Sequence, residues 1–180
     1  MHMNDIVALN KHSCKILILD VDGTLTDGKL YIGNNGEVCK AFNVKDGCGI
    51  KDILPKCGIK TAVMTARDSR IVELRCRELD ISMLFQNVRD KAKCITELAQ
   101  RMGFIPNALG EYEELIYMGD DLPDIEAMKL CAFRAAPSDA SHEVTSIANW
   151  VSTKKGGDGA VRELIDFICA NWKCNESIIK

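Results

Sequence analysis

The sequence has no long apolar run, no strong charge of either sign and few aromatic residues. None of its apolar stretches approaches the roughly 20 residues that a membrane helix requires, so a helical span is excluded. A formal net charge of −3 with 27% charged residues gives no basic field of the kind that draws nucleic acid or an anionic membrane, and neither is expected as a partner. The segment from Met1 to Lys15 lacks the basic flank, apolar stretch and small-residue site of a secretory signal, which sets the expectation of a cytoplasmic protein. His2, His12 and His142 are scattered and form neither a metal motif nor a catalytic base pattern. Cysteine is not scarce, at nine residues, but the number is odd and CxxC is absent. Cys76 and Cys94 fall inside helical patterns where Ala or Val would fit, so the cysteines read as reduced, space-filling thiols.

What is present is an alternation of short apolar runs with amphipathic stretches, the pattern of a parallel sheet covered by helices. Lys15–Leu19, Thr61–Met64, Leu115–Met118 and a weaker Phe133–Ala136 read as buried strands. Helices are predicted over Ser69–Leu79, with Asp68 or Ser69 as cap, and over Lys91–Met102, Leu122–Lys129 and Gly159–Trp172. Between Lys29 and Phe42, two strand-like arms flank Asn34, Asn35 and Gly36, which predicts a β-hairpin. Two strands are marginal alone, so the hairpin is expected to pack on something, a second subunit included. With 180 residues and no linker or repeat, the expectation is one α/β domain over residues 1–180, a Rossmann-like parallel sheet flanked by helices.

The first strand delivers Asp20 and Asp22 to the carboxyl edge of that sheet, where α/β folds place their ligands. Gly23 lets the chain turn and Thr24 can hold the loop. Two carboxylates sharing one small space suit phosphoryl transfer: Asp20 attacks phosphorus, and Asp22 protonates the leaving oxygen and later activates water. An anionic nucleophile cannot approach an anionic phosphate without added positive charge, and Mg²⁺, which favours carboxylate oxygens and water, supplies it. The missing ligand comes from Gly119-Asp120-Asp121-Leu122-Pro123-Asp124, with Asp120 as direct ligand and Asp121 and Asp124 in support. Thr65 and the amides after it can hold phosphate oxygens, and Lys91 can pair with Asp20 and with the phosphate. Singly, each signal is weak, since a DxD pair also reads as a solvated loop and Lys91 as a surface lysine. Their order at four predicted loops is what specifies a site.

That order resembles the haloacid dehalogenase superfamily, whose four motifs match Asp20–Thr24, Thr65, Lys91 and Gly119–Asp124. The resemblance implies aspartyl-phosphate chemistry with Mg²⁺ bound by the side chains of Asp20 and Asp120 and the backbone carbonyl of Asp22. Over about Lys15 to Ile168 the chain is similar to the capless branch that holds the 3-deoxy-D-manno-octulosonate 8-phosphate phosphatases and their nonulosonate 9-phosphate relatives. No interval has room for a cap; only the hairpin is inserted. The branch implies a homotetramer assembled through the hairpin, with a neighbouring subunit closing each site over a phosphorylated sugar acid.

Within that resemblance, Thr65-Ala66-Arg67 stands where octulosonate phosphatases show TGR and 2-keto-3-deoxynononate phosphatases tend to show TGE. Arg67 could hold a sugar-acid carboxylate in a bidentate manner, favouring the eight-carbon substrate, or be an exposed helix-start residue. Ala66 replaces the usual glycine and can narrow the pocket while leaving its amide available. Lys155 and Arg162, in the segment ending GGDGAVREL, are either contacts to an acidic sugar or part of a glycine turn that caps the last helix. The expected activity is therefore dephosphorylation of the eight-carbon sugar acid, as in lipopolysaccharide synthesis, with N-acylneuraminate or 2-keto-3-deoxynononate 9-phosphate as the alternative. A non-catalytic assembly or regulatory module attached to a sugar nucleotide enzyme is the reading outside enzymes.

Overall fold

The computed structural model describes residues 14–171, so Trp172, the tail at 173–180, Cys174, His2 and His12 lie outside the described residues. The run Ile16–Leu19 is strand β1, and all four of its side chains are fully buried. A strand buried on both faces needs an unbroken apolar sequence, which is why it reads ILIL rather than alternating with polar residues. Leu17 and Leu19 face one core layer, while Ile16 and Ile18 face the other.

After β1 come the hairpin strands β2 (Tyr31–Gly33) and β3 (Gly36–Cys39), paired antiparallel, with the positive φ of 101° taken by Gly36 alone. Helix α1 (Val44–Cys48) runs on through wider and tighter turns to Cys57. The remaining elements are β4 (Lys60–Met64), α2 (Arg70–Glu78), β5 (Met83–Phe85), α3 (Lys91–Met102), β6 (Tyr112–Met118), α4 (Ile125–Lys129), β7 (Cys131–Ala136), α5 (His142–Ile147), β8 (Trp150–Val151) and α6 (Ala160–Asn171). Ser69 caps α2 by accepting from the Val72 amide, Asp90 caps α3 by accepting from the Lys93 amide, and Gly103 ends α3 in the left-handed region.

The main sheet has the order β5-β4-β1-β6-β7-β8, parallel throughout. The expected α/β architecture is thus present, with β5, β8, α1 and α5 added to the elements read from sequence. On one face α6 packs Ala160, Val161, Leu164, Ile165 and Ile168 beside Val72 and Cys76 of α2. On the other, Ile95, Leu98 and Ala99 of α3 join Ala127 and Met128 of α4 and Val144 of α5. Asp46 of α1 is buried and accepts from the Arg162 amide at 2.7 Å, tying α1 to the first turn of α6. Cys57 Sγ lies 2.7 Å from Cys169 Sγ, a second contact between that region and α6. None of the described helices is long and apolar enough to cross a membrane.

Chain order reverses at the boundary between β1 and β6, and in an open α/β sheet that crevice at the carboxyl ends is where ligands bind. The register of β1 therefore positions everything that follows. Leu17→Ala should destabilise the protein by about 2–5 kcal/mol through the lost burial and the cavity left behind. Chemical denaturation checks this, and a change under about 1 kcal/mol would contradict the two-layer core.

Candidate active site

Asp20 follows β1 directly, its amide donating to the Met118 carbonyl of β6 at 3.0 Å, so the nucleophile candidate inherits the rigidity of two central strands. Asp20 is only 6% exposed. Lys91, at the first turn of α3 and also buried, donates through Nζ to Asp20 Oδ1 at 2.5 Å and to Asp124 Oδ1 at 2.6 Å. Tyr117 of β6 donates its hydroxyl to the same Asp124 oxygen at 2.7 Å. The other Asp124 oxygen accepts the amides of Asp120 (3.1 Å) and Asp121 (3.3 Å), so this one carboxylate organises the loop after β6. Thr24 Oγ1 donates to Asp120 Oδ1 at 3.3 Å, closing the ring back to the first loop.

Oxygens of Asp20, Asp120 and Asp124 lie within 4.8 Å of one another. Three carboxylates face one ammonium, and the imbalance shows in the titration of Asp20 and Asp120. Burial, then the Asp124 charge, pushes Asp20 up to about 7 despite Lys91. Burial, then Asp20 and Asp124, pushes Asp120 up to about 8. Burial works against the Lys91 ammonium, but Asp20 and Asp124 outweigh it and hold its pKa above the ordinary range. A group of oxygen donors with surplus negative charge fits a hard divalent cation such as the expected Mg²⁺.

The first loop reaches this position only because residue 23 is glycine. Its φ is +96°, and a Cβ there would stand 2.0 Å from Asp120 Oδ2. The same loop is clamped from behind by the segment before α6. The Gly157 amide donates to the Thr24 carbonyl at 3.1 Å, and a Cβ on Gly156 would lie 1.8 Å from the Gly23 carbonyl oxygen. These two glycines thus permit close backbone approach to the loop that carries Asp20 and Asp22.

Asp22 is turned away from the three clustered carboxylates. It pairs with Lys40, just beyond β3, and lies 3.8 Å from Arg67 Nε. Thr65 is buried at the end of β4, its amide donating to the Phe85 carbonyl at 2.9 Å and its hydroxyl accepting the Arg67 amide at 3.2 Å. Thr65, Ala66 and Arg67 therefore form one turn at the edge of the same crevice, and Arg67 keeps a partly exposed side chain at its mouth. Arg162 is placed elsewhere, on α6, with Nε 2.9 Å from Asp166 Oδ1. Lys155 is exposed on the glycine loop.

Asp20 is thus brought to Lys91 and to Asp120, while Thr65 ends the neighbouring strand β4 and Asp22 points to Lys40. Asp124 is more central than a supporting residue, whereas Asp121 is exposed. Sequence reasoning also missed Tyr117 and Lys40. The available signal for Tyr117 was its place in the apolar run Leu115–Met118, where a buried hydroxyl demands a partner.

A haloacid dehalogenase-like hydrolase family model matches residues 79–164. The 3-deoxy-D-manno-octulosonate 8-phosphate phosphatase of Escherichia coli is 39% identical over 174 residues, covering 96% of this chain and 88% of that protein. The same-named phosphatase of Moraxella catarrhalis, solved with a magnesium ion, a phosphate ion and a KDO molecule, superposes with TM-score 0.84 at 34% identity, covering 94% of this chain and 93% of that one. A cobalt-bound Haemophilus influenzae deoxy-D-mannose-octulosonate 8-phosphate phosphatase gives TM-score 0.82 at 36% identity, with 90% and 91% covered.

The raised carboxyls make a signed prediction for the metal-free protein. Folded Asp20 and Asp120 hold protons that the unfolded chain, with both groups at the ordinary 3.8, has released. Their stabilising contribution is full below about pH 4 and is lost as pH rises through about 7 to 8. Thermal unfolding in chelator should show Tm falling across that window, and added Mg²⁺ should raise Tm more at pH 8 than at pH 6. An equal rise at both pH values would count against metal binding at these carboxylates.

Proposed function

Because the chain belongs to the haloacid dehalogenase-like hydrolases, in the branch of the 3-deoxy-D-manno-octulosonate 8-phosphate phosphatases, we propose that it is a Mg²⁺-dependent phosphatase for that eight-carbon sugar acid. The whole chain acts as one phosphatase domain in the cytoplasm. The observation that carries the reading is the separation of two carboxylates two residues apart: Asp20 sits in the metal-capable group on Lys91, while Asp22 stands outside it.

Asp20 attacks phosphorus, and the bond from phosphorus to the sugar oxygen breaks. Asp22 gives its proton to that departing oxygen, leaving an aspartyl phosphate on Asp20. Asp22 then takes a proton from water, whose oxygen attacks the same phosphorus and restores Asp20 while releasing inorganic phosphate. Lys91 keeps Asp20 aimed along the attack line and balances part of its charge. The Thr65 hydroxyl and the amides of Ala66 and Arg67 receive the phosphate oxygens. Asp20, Asp120 and the backbone carbonyl of Asp22 would hold Mg²⁺, with Asp124 as a further carboxylate at the site. Bound there, the ion would offset the charge of nucleophile and phosphate so that the two can meet. Arg67 at the crevice mouth takes the sugar-acid carboxylate, which is the basis for preferring the eight-carbon substrate. Arg162, whose Nε is on Asp166, lies on α6 and would reach substrate only as a contact of secondary importance.

We also propose a homotetramer joined through the hairpin. Leu30, Ile32 and Val38 there are 51%, 61% and 64% exposed, an apolar surface that a second copy would cover.

Asp20→Asn should lose on the order of 10³-fold or more in kcat while still unfolding in a cooperative transition; undiminished turnover would overturn the mechanism and favour a non-catalytic assembly role. The wild-type kcat/KM for the eight-carbon substrate should exceed that for N-acylneuraminate 9-phosphate by about tenfold or more. The reverse preference would reassign the substrate. Light scattering should give a tetramer that Ile32→Asp dissociates, and a wild-type monomer would remove the assembly.

A further inference from the structure

The return arm of the hairpin brings a cation to Asp22 that neither the nucleophile loop nor the sheet supplies. Lys40, the residue after β3, is nearly sealed, with its side chain 2% exposed, and its ammonium contacts Asp22 Oδ1 and Glu37 Oε1, the latter at 3.0 Å. Glu37 is in turn held by the Ser69 hydroxyl at the cap of α2. Lys40 is therefore fixed at both ends: Glu37 and Ser69 anchor it to the body of the fold, and its remaining reach is spent on Asp22.

We propose that Lys40 is a positioning residue for the proton-transfer step, holding the Asp22 carboxyl out of the Asp20, Asp120 and Asp124 cluster and aimed at the departing sugar oxygen. This rests on the phosphatase reading given above. The ammonium donates to Oδ1, and that oxygen accepts in either protonation state of the carboxyl. Oδ2, 3.8 Å from Arg67 Nε, is left as the carboxyl oxygen without a hydrogen bond from Lys40, and so the one free to face substrate. Without Lys40, the polar tether left to the Asp22 side chain among the described residues is the Arg67 contact, and it is longer than a hydrogen bond. Asp22 would then be able to swing out of line with the departing oxygen.

Protonation of the leaving oxygen matters for a sugar alkoxide and little for p-nitrophenolate, which departs unaided. That contrast separates positioning from mere loss of structure. In Lys40→Met, kcat/KM for 3-deoxy-D-manno-octulosonate 8-phosphate should fall on the order of 10- to 100-fold, while kcat/KM for p-nitrophenyl phosphate should fall less than about threefold. Because kcat/KM reports steps only through aspartyl-phosphate formation, the later hydrolysis does not blur the comparison. Equal losses on both substrates would overturn the proposal, as would no loss on either. If Lys40→Met does not fold, Lys40→Ala, which leaves room for water beside Asp22, is read by the same ratio. Failure of the wild-type enzyme to release phosphate from either compound would instead refute the phosphatase reading itself.

Discussion

A single ammonium, that of Lys91, stands between the buried carboxylates of Asp20 and Asp124. Much of the fold serves to keep it there. β1 and β6 run side by side so that Asp20 and the loop after Met118 emerge together. α3 begins at Lys91 because Asp90 caps it, which directs the lysine into the crevice from its first turn. Tyr117 extends the arrangement into the core, and burial together with Asp124 keeps its hydroxyl protonated as a donor by raising it well above its ordinary range. Removing one partner from such a buried set leaves an uncompensated charge, which costs far more than an exposed pair could contribute. One ammonium still leaves the three carboxylates with excess negative charge, so the site is organised but electrostatically incomplete, which is what a cation site requires.

A second charged cluster lies beside the first and has a different composition. Asp22, Lys40, Glu37 and Arg67 alternate in sign, and none of the four belongs to the main sheet. It draws on the hairpin and on the turn after β4, elements whose positions are set by contacts with each other. The Glu37 contact to Ser69 is the joint, because Ser69 also caps α2 and takes the Gln86 side chain on its amide at 2.8 Å. The charged residues of this cluster are thus carried on irregular segments braced against a rigid scaffold, the arrangement in which loops commonly carry function.

How far all this was legible follows from what each feature depends on. β1 and α3 were readable because local signals agreed: four consecutive apolar residues for a doubly buried strand, and Asp90 with Gly103 bounding an amphipathic run. β5 and β8, at three and two residues, are too short to carry a period, and the sheet edge decides them. In Asp120, Asp121 and Asp124 the residue type is identical, so sequence could not say which carboxylate turns inward; a tight turn at Leu122–Asp124 buries Asp124 and leaves Asp121 outside. Lys40 was hidden for a different reason. It lies in a hairpin whose neighbouring residues are largely exposed, and only the folding of that hairpin over the first loop makes it a buried ion-pair partner.

The two-residue spacing of Asp20 and Asp22 has a physical explanation in the same terms. In a continuing strand, residues i and i+2 project to the same face, and Asp22 would then have entered the space already crowded by three carboxylates. The chain instead leaves the sheet after Asp20, buries Val21 in the core, and turns at Gly23 with a φ that a side chain would oppose. That turn sends Asp22 toward Lys40 and brings Gly23 against Asp120 with no room for a Cβ. One glycine therefore does two things at once: it compacts the carboxylates that suit a cation and leaves Asp22 outside them. The glycine pair at Gly156 and Gly157 holds the turn from its outer side, which makes the loop before α6 part of the frame of the carboxylate cluster even though the only side chains it offers there are hydrogens.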